Sequence, residues 1–159
     1  MFFALFSFGT AFSQFDTNAP YKRFPTVPPF TLVQLDNTEF AKKDLKKNAP
    51  VLIMYFSPDC HHCQEQMNDM IKNMHKLSKV QIILATFKPD HELAAFYKRY
   101  QLAKYPNIRA GRDAKFILPP FYNIRNFPYF ALYDKKGALI TTYEGNVAVN
   151  ELLKKFKIN

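Results

Sequence analysis

Cysteine is scarce in this sequence: two residues in 159, Cys60 and Cys63, set as C-x-x-C. Neither a second C-x-x-C nor a paired histidine motif stands elsewhere, so no recognised spacing completes the four ligands of a structural zinc site. A static disulfide or half a zinc site are the plain alternatives to a redox role for the pair. Any long basic block or nucleic-acid motif is also absent. The formal charge of +9 comes from lysines scattered in short pairs (Lys42-Lys43, Lys46-Lys47, Lys135-Lys136, Lys154-Lys155). Such a pattern describes a solvated basic surface, with a bias towards acidic partners or anionic membranes, and no nucleic-acid partner is expected. Internal repeats and low-complexity tracts are missing too. Apolar residues are not: they make up 48% of the chain, and 17 Phe and 9 Tyr dominate the aromatics. Disorder over most of the length is excluded, and one domain with a sizeable core is expected.

The N-terminus lacks charge. Met1 to Ser13 (MFFALFSFGTAFS) is apolar and too short to span a bilayer. It resembles the apolar region of a secretory signal peptide, with Ala11 and Ser13 placing a cut before Gln14. The basic segment that normally precedes such a region is missing, which leaves a start codon further upstream or a short uncleaved anchor. A first core strand or helix is the structural alternative. No cysteine follows the run, so a lipoprotein has no acceptor residue. Residues 14–29, with Asn-Ala-Pro, Phe-Pro-Thr and Pro28-Pro29, form an extended linker, and the domain proper covers 30–159.

The stretch that organises the rest is Val51 to Met67. Val51 to Phe56 is a buried strand by length and composition. Beyond it, Cys63, Met67, Met70, Ile71, Met74 and Leu77 recur at three- and four-residue steps, one face of an amphipathic helix. The C-x-x-C therefore falls where a strand ends and a helix begins. Unpaired N–H groups and the partial positive charge of a helix start favour a thiolate over a thiol. Residues i and i+3 share a helical face, so Cys63 lies behind Cys60 and can close a disulfide with it. One sulfur is open to attack, and the other resolves the mixed disulfide that forms.

Around this stretch, Phe30 to Leu35 predicts a short strand, Asp36-Asn37 a turn, and Thr38 followed by Glu39 to Lys47 a capped, charged helix. Val80 to Phe87 predicts a second buried strand. Asp90 predicts an N-cap for a helix through Tyr100. Residues 102–113 carry Pro106, Gly111 and mixed charge, and predict loop or broken helix. Asp134-Lys135-Lys136-Gly137 between two apolar runs is a hairpin turn, and Val147 to Phe156 a terminal amphipathic helix.

This order of elements resembles the thioredoxin fold, over Phe30 to the C-terminus, most specifically in PDCHHC and NFPYFALYDKKGALITTYEG. The extra elements before Val51, and the long segment between Arg99 and Pro128, resemble the TlpA-like and AhpC/TSA-like extracytoplasmic branch. The resemblance implies an α/β fold with a central mixed sheet flanked by helices and an N-terminal strand-helix extension. It implies thiol–disulfide exchange with protein thiols and a redox partner protein, in the periplasm or another exported location, without a cofactor. Cys60 would attack or be attacked, and Cys63 would resolve. Pro128 would be the family's cis-proline and, with Phe127, shape the substrate groove; an edge-strand proline is the alternative.

Two departures qualify that likeness. Thioredoxins carry a buried acid six residues before the first cysteine, where this chain has Met54. The dipeptide between the cysteines is His61-His62, where thioredoxin has Gly-Pro and the protein-oxidising members have Pro-His. A histidine there stabilises a Cys60 thiolate and predicts a potential more oxidising than thioredoxin's. The competing reading is a copper- or zinc-binding module built on Cys60, His61, His62 and Cys63, although adjacent histidines on one helical turn point apart. A redox-inert binding module is disfavoured because both cysteines are present. His75 and His91 show no ligand spacing. The eight residues ending at Cys60 lack the Pro-x-x-x-Thr/Ser-x-x-Cys setting of peroxiredoxins.

Overall fold

The computed structural model describes residues 19–158, so the leader-like Met1 to Ser13 lies outside the described residues. Within them, seven strands form one sheet: β1 (Thr31–Val33), β2 (Glu39–Ala41), β3 (Val51–Tyr55), β4 (Gln81–Thr86), β5 (Ile108–Arg112), β6 (Tyr129–Tyr133) and β7 (Leu139–Glu144). Their spatial order is β2-β1-β5-β4-β3-β6-β7. β3, β4 and β5 run parallel, and the remaining pairings are antiparallel. Five helices accompany them: α1 (Pro20–Arg23), α2 (His61–Lys72), α3 (Asp90–Arg99), α4 (Leu118–Tyr122) and α5 (Val149–Phe156). The mixed sheet with flanking helices is the architecture the sequence predicts.

Strand β3 shows why the centre holds. All five of its residues are buried, and period-two alternation sends them to opposite layers. Leu52, Met54 and Phe56 join Cys63, Met67 and Met70 of α2, Leu93 and Phe96 of α3, and Leu152 of α5. Val51, Ile53 and Tyr55 face Leu118 and Tyr122 of α4 on the other side. Each fully buried aliphatic or aromatic side chain contributes about 1.5–3 kcal/mol relative to exposure. The dithiol helix is clamped from the far end of the chain. Gln66 accepts a hydrogen bond from the Val147 N–H at 2.7 Å and donates to the Val147 carbonyl at 2.9 Å, while Asp69 accepts from the Val149 N–H at 3.0 Å.

Three segments differ from the sequence expectation. The charged helix expected over Glu39 to Lys47 is instead β2 followed by a 3-10 turn at Lys42–Asp44, so the N-terminal extension is a hairpin rather than strand and helix. Pairing with β1 sets Phe40 opposite Leu32, and that tertiary contact outweighs the helix propensity of the lysines. Residues 102–113 hold a 3-10 turn, Leu102–Lys104, and then an interior strand, β5. Gly111 sits there because β1 crosses close by: a Cβ at this position would meet the Leu32 Cβ at 2.8 Å and the Val33 carbonyl oxygen at 3.0 Å. Among residues 19–29, where prolines predict extended chain, Pro20–Arg23 makes one helical turn with its proline at the tolerated first position. Ala19 and Val27 are buried beside it. Pro89, not Asp90, occupies the N-cap position of α3, without a side-chain cap, and Asp90 opens the first turn and pairs with Arg112 at 2.8 Å.

Candidate redox site

β3 ends at Tyr55, and the turn Ser57-Pro58-Asp59 delivers Cys60 to the N-cap of α2. Local hydrogen bonds fix that turn. The Cys60 N–H donates to the Ser57 carbonyl (3.1 Å), the Cys60 carbonyl accepts from Gln64 N–H (3.0 Å), and the Gln64 side chain donates to the Pro58 carbonyl (2.9 Å). Cys63, within the first turn, is fully buried, whereas Cys60 is partly exposed. The two cysteines lie 3.1 Å apart and are free thiols. Burial pushes the Cys63 thiol well above the ordinary range, and the neighbouring Ser57 backbone N–H pulls the other way. The sulfur behind is thus held protonated while the sulfur in front meets solvent at a helix start.

The histidines between the cysteines face outward. His61 Nε2 lies 3.1 Å from Glu65 Oε1, and His62 Nδ1 lies 3.3 Å from Glu65 Oε2. One carboxylate one turn along α2 therefore holds both imidazoles, and Asn146 donates to it at 3.2 Å. The His62 hydrogen bond, then the His61 charge, hold the Glu65 carboxyl below the usual range. Glu65 was legible in principle, because it stands at i+4 and i+3 from the two histidines.

A second cluster flanks the cysteine turn. The Ser57 hydroxyl donates to Asp59, and the Lys88 ammonium donates to Asp59 at 2.9 Å and lies 3.5 Å from Glu92. The Ser57 hydroxyl, then Lys88, hold the Asp59 carboxyl low, and Asp59 in turn raises Lys88. Nothing local in the sequence announces this pair, because Lys88 arrives from the turn after β4.

Pro128 follows a cis peptide bond from Phe127. Register places it: Tyr55 of β3 is opposite Tyr129 of β6, so Pro128 stands at the end of β3 from which the chain turns to Cys60. It precedes a strand flanked on both sides, by β3 and β7, rather than an edge strand. Its carbonyl accepts from Gly145 N–H at 2.8 Å. Met54, in the position of the family acid, is wholly buried in the layer that also holds Cys63. Among the described residues, no three His, Cys, Asp or Glu side chains are gathered into a group that could hold a metal ion. The four residues of the copper- or zinc-binding alternative are split: Cys63 is buried, Cys60 is partly exposed at the helix start, and the two imidazoles lean onto Glu65.

A dithiol at the first turn of a helix, rooted in the central strand of a mixed sheet with a cis-proline at the same strand end, defines a thioredoxin-fold dithiol protein. Comparison by sequence sharpens this: the model of the thioredoxin-like domain family matches residues 39–157. The chain belongs to that family. No curated protein matches it in sequence. Among solved structures it is similar to a secreted disulfide oxidoreductase of Mycobacterium tuberculosis homologous to E. coli DsbE, with 19% identity, 81% of this chain and 95% of that one covered, and a TM-score of 0.67. The dsbF protein of the same organism gives 18% identity, coverage of 83% and 98%, and a TM-score of 0.69. The exposed lipoprotein thioredoxin Etrx1 of Streptococcus pneumoniae gives 23% identity, coverage of 82% and 98%, and a TM-score of 0.61. At these identities the likeness is one of fold.

Proposed function

We propose that this chain exchanges disulfides with protein substrates through Cys60 and Cys63. The observation that carries the reading is a buried thiol 3.1 Å behind a partly exposed one at a helix start. In the reducing direction, the Cys60 thiolate attacks one sulfur of a substrate disulfide, and the other substrate sulfur leaves as a thiolate with the bonding pair. Cys63 then loses its proton and attacks the Cys60 sulfur. The Cys60–Cys63 disulfide forms, and the first substrate sulfur is released. Two electrons and two protons pass to the substrate, which becomes a dithiol. The same steps in reverse oxidise a substrate dithiol. Phe127 and Pro128 border the groove in which an extended substrate segment would lie, and His61 and His62 tune the pair.

The compartment in this reading is extracytoplasmic. It is supported by the signal-like Met1 to Ser13 and by fold relatives described as secreted or exposed. The same apolar segment would give any membrane association. Insulin reduction and scrambled-protein oxidation, run with wild type and Cys60→Ala, test the chemistry: both activities vanish in the variant, and activity that survives refutes the mechanism. Expression with a downstream tag tests the location, since an intact Met1 on a cytosolic product would end the export reading.

A further inference from the structure

The turn between β5 and α4 holds a bulky residue in a conformation that it rarely adopts. Phe116 has φ +52°, in the left-handed region that a bulky side chain disfavours. Its side chain is 53% exposed nonetheless. Asp113 pins it there. The Asp113 carboxylate, itself buried, accepts the Ile117 N–H at 3.0 Å and the Leu118 N–H at 2.9 Å, and its carbonyl accepts the Phe116 N–H at 3.0 Å. Strain held by a buried carboxylate, only to present an aromatic ring to solvent, needs a use.

The neighbours supply one. Phe116 meets Phe87 edge-on with ring centres 6.2 Å apart, and Phe87, 41% exposed, lies 6.0 Å from Phe127, the residue before Pro128. Ile117 is exposed beside Phe116. On its other side Phe87 adjoins Lys88, whose ammonium holds Asp59, the residue before Cys60. An apolar surface thus runs from the cis-proline loop to Phe116 and borders the cysteine turn.

We propose that Phe87, Phe116 and Ile117 form a docking subsite for a large apolar side chain, aromatic or aliphatic, that stands beside the reacting cysteine of a protein substrate. This rests on the disulfide-exchange reading and adds the substrate class to it. The occupant is an extended segment of another protein, because the patch is continuous with the Phe127–Pro128 groove. A segment whose cysteine reaches Cys60 along that groove carries its neighbouring side chains over these rings. Alternation along an extended chain leaves every second side chain facing the patch.

The test uses two cysteine peptides, Gly-Phe-Cys-Phe-Gly and Gly-Ser-Cys-Ser-Gly, each joined by a disulfide to thionitrobenzoate. The Cys60 thiolate attacks the peptide sulfur and thionitrobenzoate leaves as the coloured thiolate. In a single turnover that starts from the reduced protein and ends with the Cys60–Cys63 disulfide, wild type is expected to react with the phenylalanine peptide with a second-order rate constant roughly ten-fold above that for the serine peptide. Phe116→Asn keeps a side chain that tolerates the left-handed backbone but removes the ring, and Phe87→Ser removes its neighbour; in both the ratio falls towards one. Equal rate constants for the two peptides, with normal exchange of wild type against oxidised glutathione, overturn the inference and leave the redox reading standing. A dimer seen by sedimentation and lost in Phe116→Asn overturns it too, assigning the patch to a second copy of this chain. No exchange even with glutathione ends both readings.

Discussion

Lys88 holds Asp59 across 2.9 Å, and this ion pair fastens the turn after β4 to the residue that precedes Cys60. Its importance lies in charge rather than in stability. Solvent screens a surface pair of this kind, so its contribution to stability is small, present above the ordinary carboxylate pKa and lost as pH falls through the lowered one. The Asp59 carboxylate also opposes ionisation of Cys63, adding to the larger effect of burial.

Asp59→Asn therefore lowers the pKa of the Cys63 thiol. The rate at which Cys63 displaces a partner from Cys60, followed by rapid mixing across pH, shifts its rise to lower pH, while the urea midpoint barely moves. A pH profile that stays in place counts against this role for Asp59.

Glu65 draws both imidazoles to itself and places a negative charge one helical turn beyond Cys60. Glu65→Gln removes that charge and frees the two rings, so the reduced dithiol is favoured and the disulfide becomes more oxidising. Surface electrostatics of this size correspond to roughly 10–20 mV, shrinking in high salt. Equilibration against a glutathione series reads it, and a shift in the reducing direction would contradict it.

Gly111→Ala places a methyl group against the Leu32 Cβ and the Val33 backbone. Because the obstruction is largely main chain, β1 has to move, and a loss of about 1–3 kcal/mol is expected from urea unfolding. An unchanged midpoint would show that the hairpin yields freely.

Burial pushes the phenols of Tyr55, Tyr122, Tyr129 and Tyr133 well above their ordinary value of 10.0. The folded state keeps them neutral, so stability is level below about pH 10 and falls as pH rises towards the raised values. Of the nine tyrosines, these four are expected to ionise only as the fold is lost, giving a late absorbance step that coincides with loss of ellipticity. Smooth ionisation of all nine in an intact fold would refute this.

What the chain declares in its sequence follows how local each interaction is. Val51 to Lys72 was legible because an unbroken apolar strand and a three-four repeat leave one reading, and the structure keeps both, although the helix stops at Lys72 and Met74 and Leu77 reach the core from a 3-10 turn. Strand β5 was not. Arg109 and Arg112 interrupt its apolar pattern, and Gly111 looks like a loop residue until β1 is seen pressing on it. Glu39 to Lys47 misled because its lysines favour a helix, whereas pairing of Phe40 with Leu32 decides the matter. At the site, Cys60, Cys63 and the position of Pro128 could be placed from motifs. Lys88 and Phe116 could not, since the first reaches Asp59 across 29 residues and the second is marked only by its backbone angle.

The hydrogen bonds between Gln66 and Val147 join residues 81 positions apart. Synthesis runs from the N-terminus, so the helix carrying both cysteines emerges long before the segment that fastens it. For that interval the nascent chain bears two thiols on an unfastened helix. The dithiol helix acquires these hydrogen bonds only once Val147 and Val149 have been made.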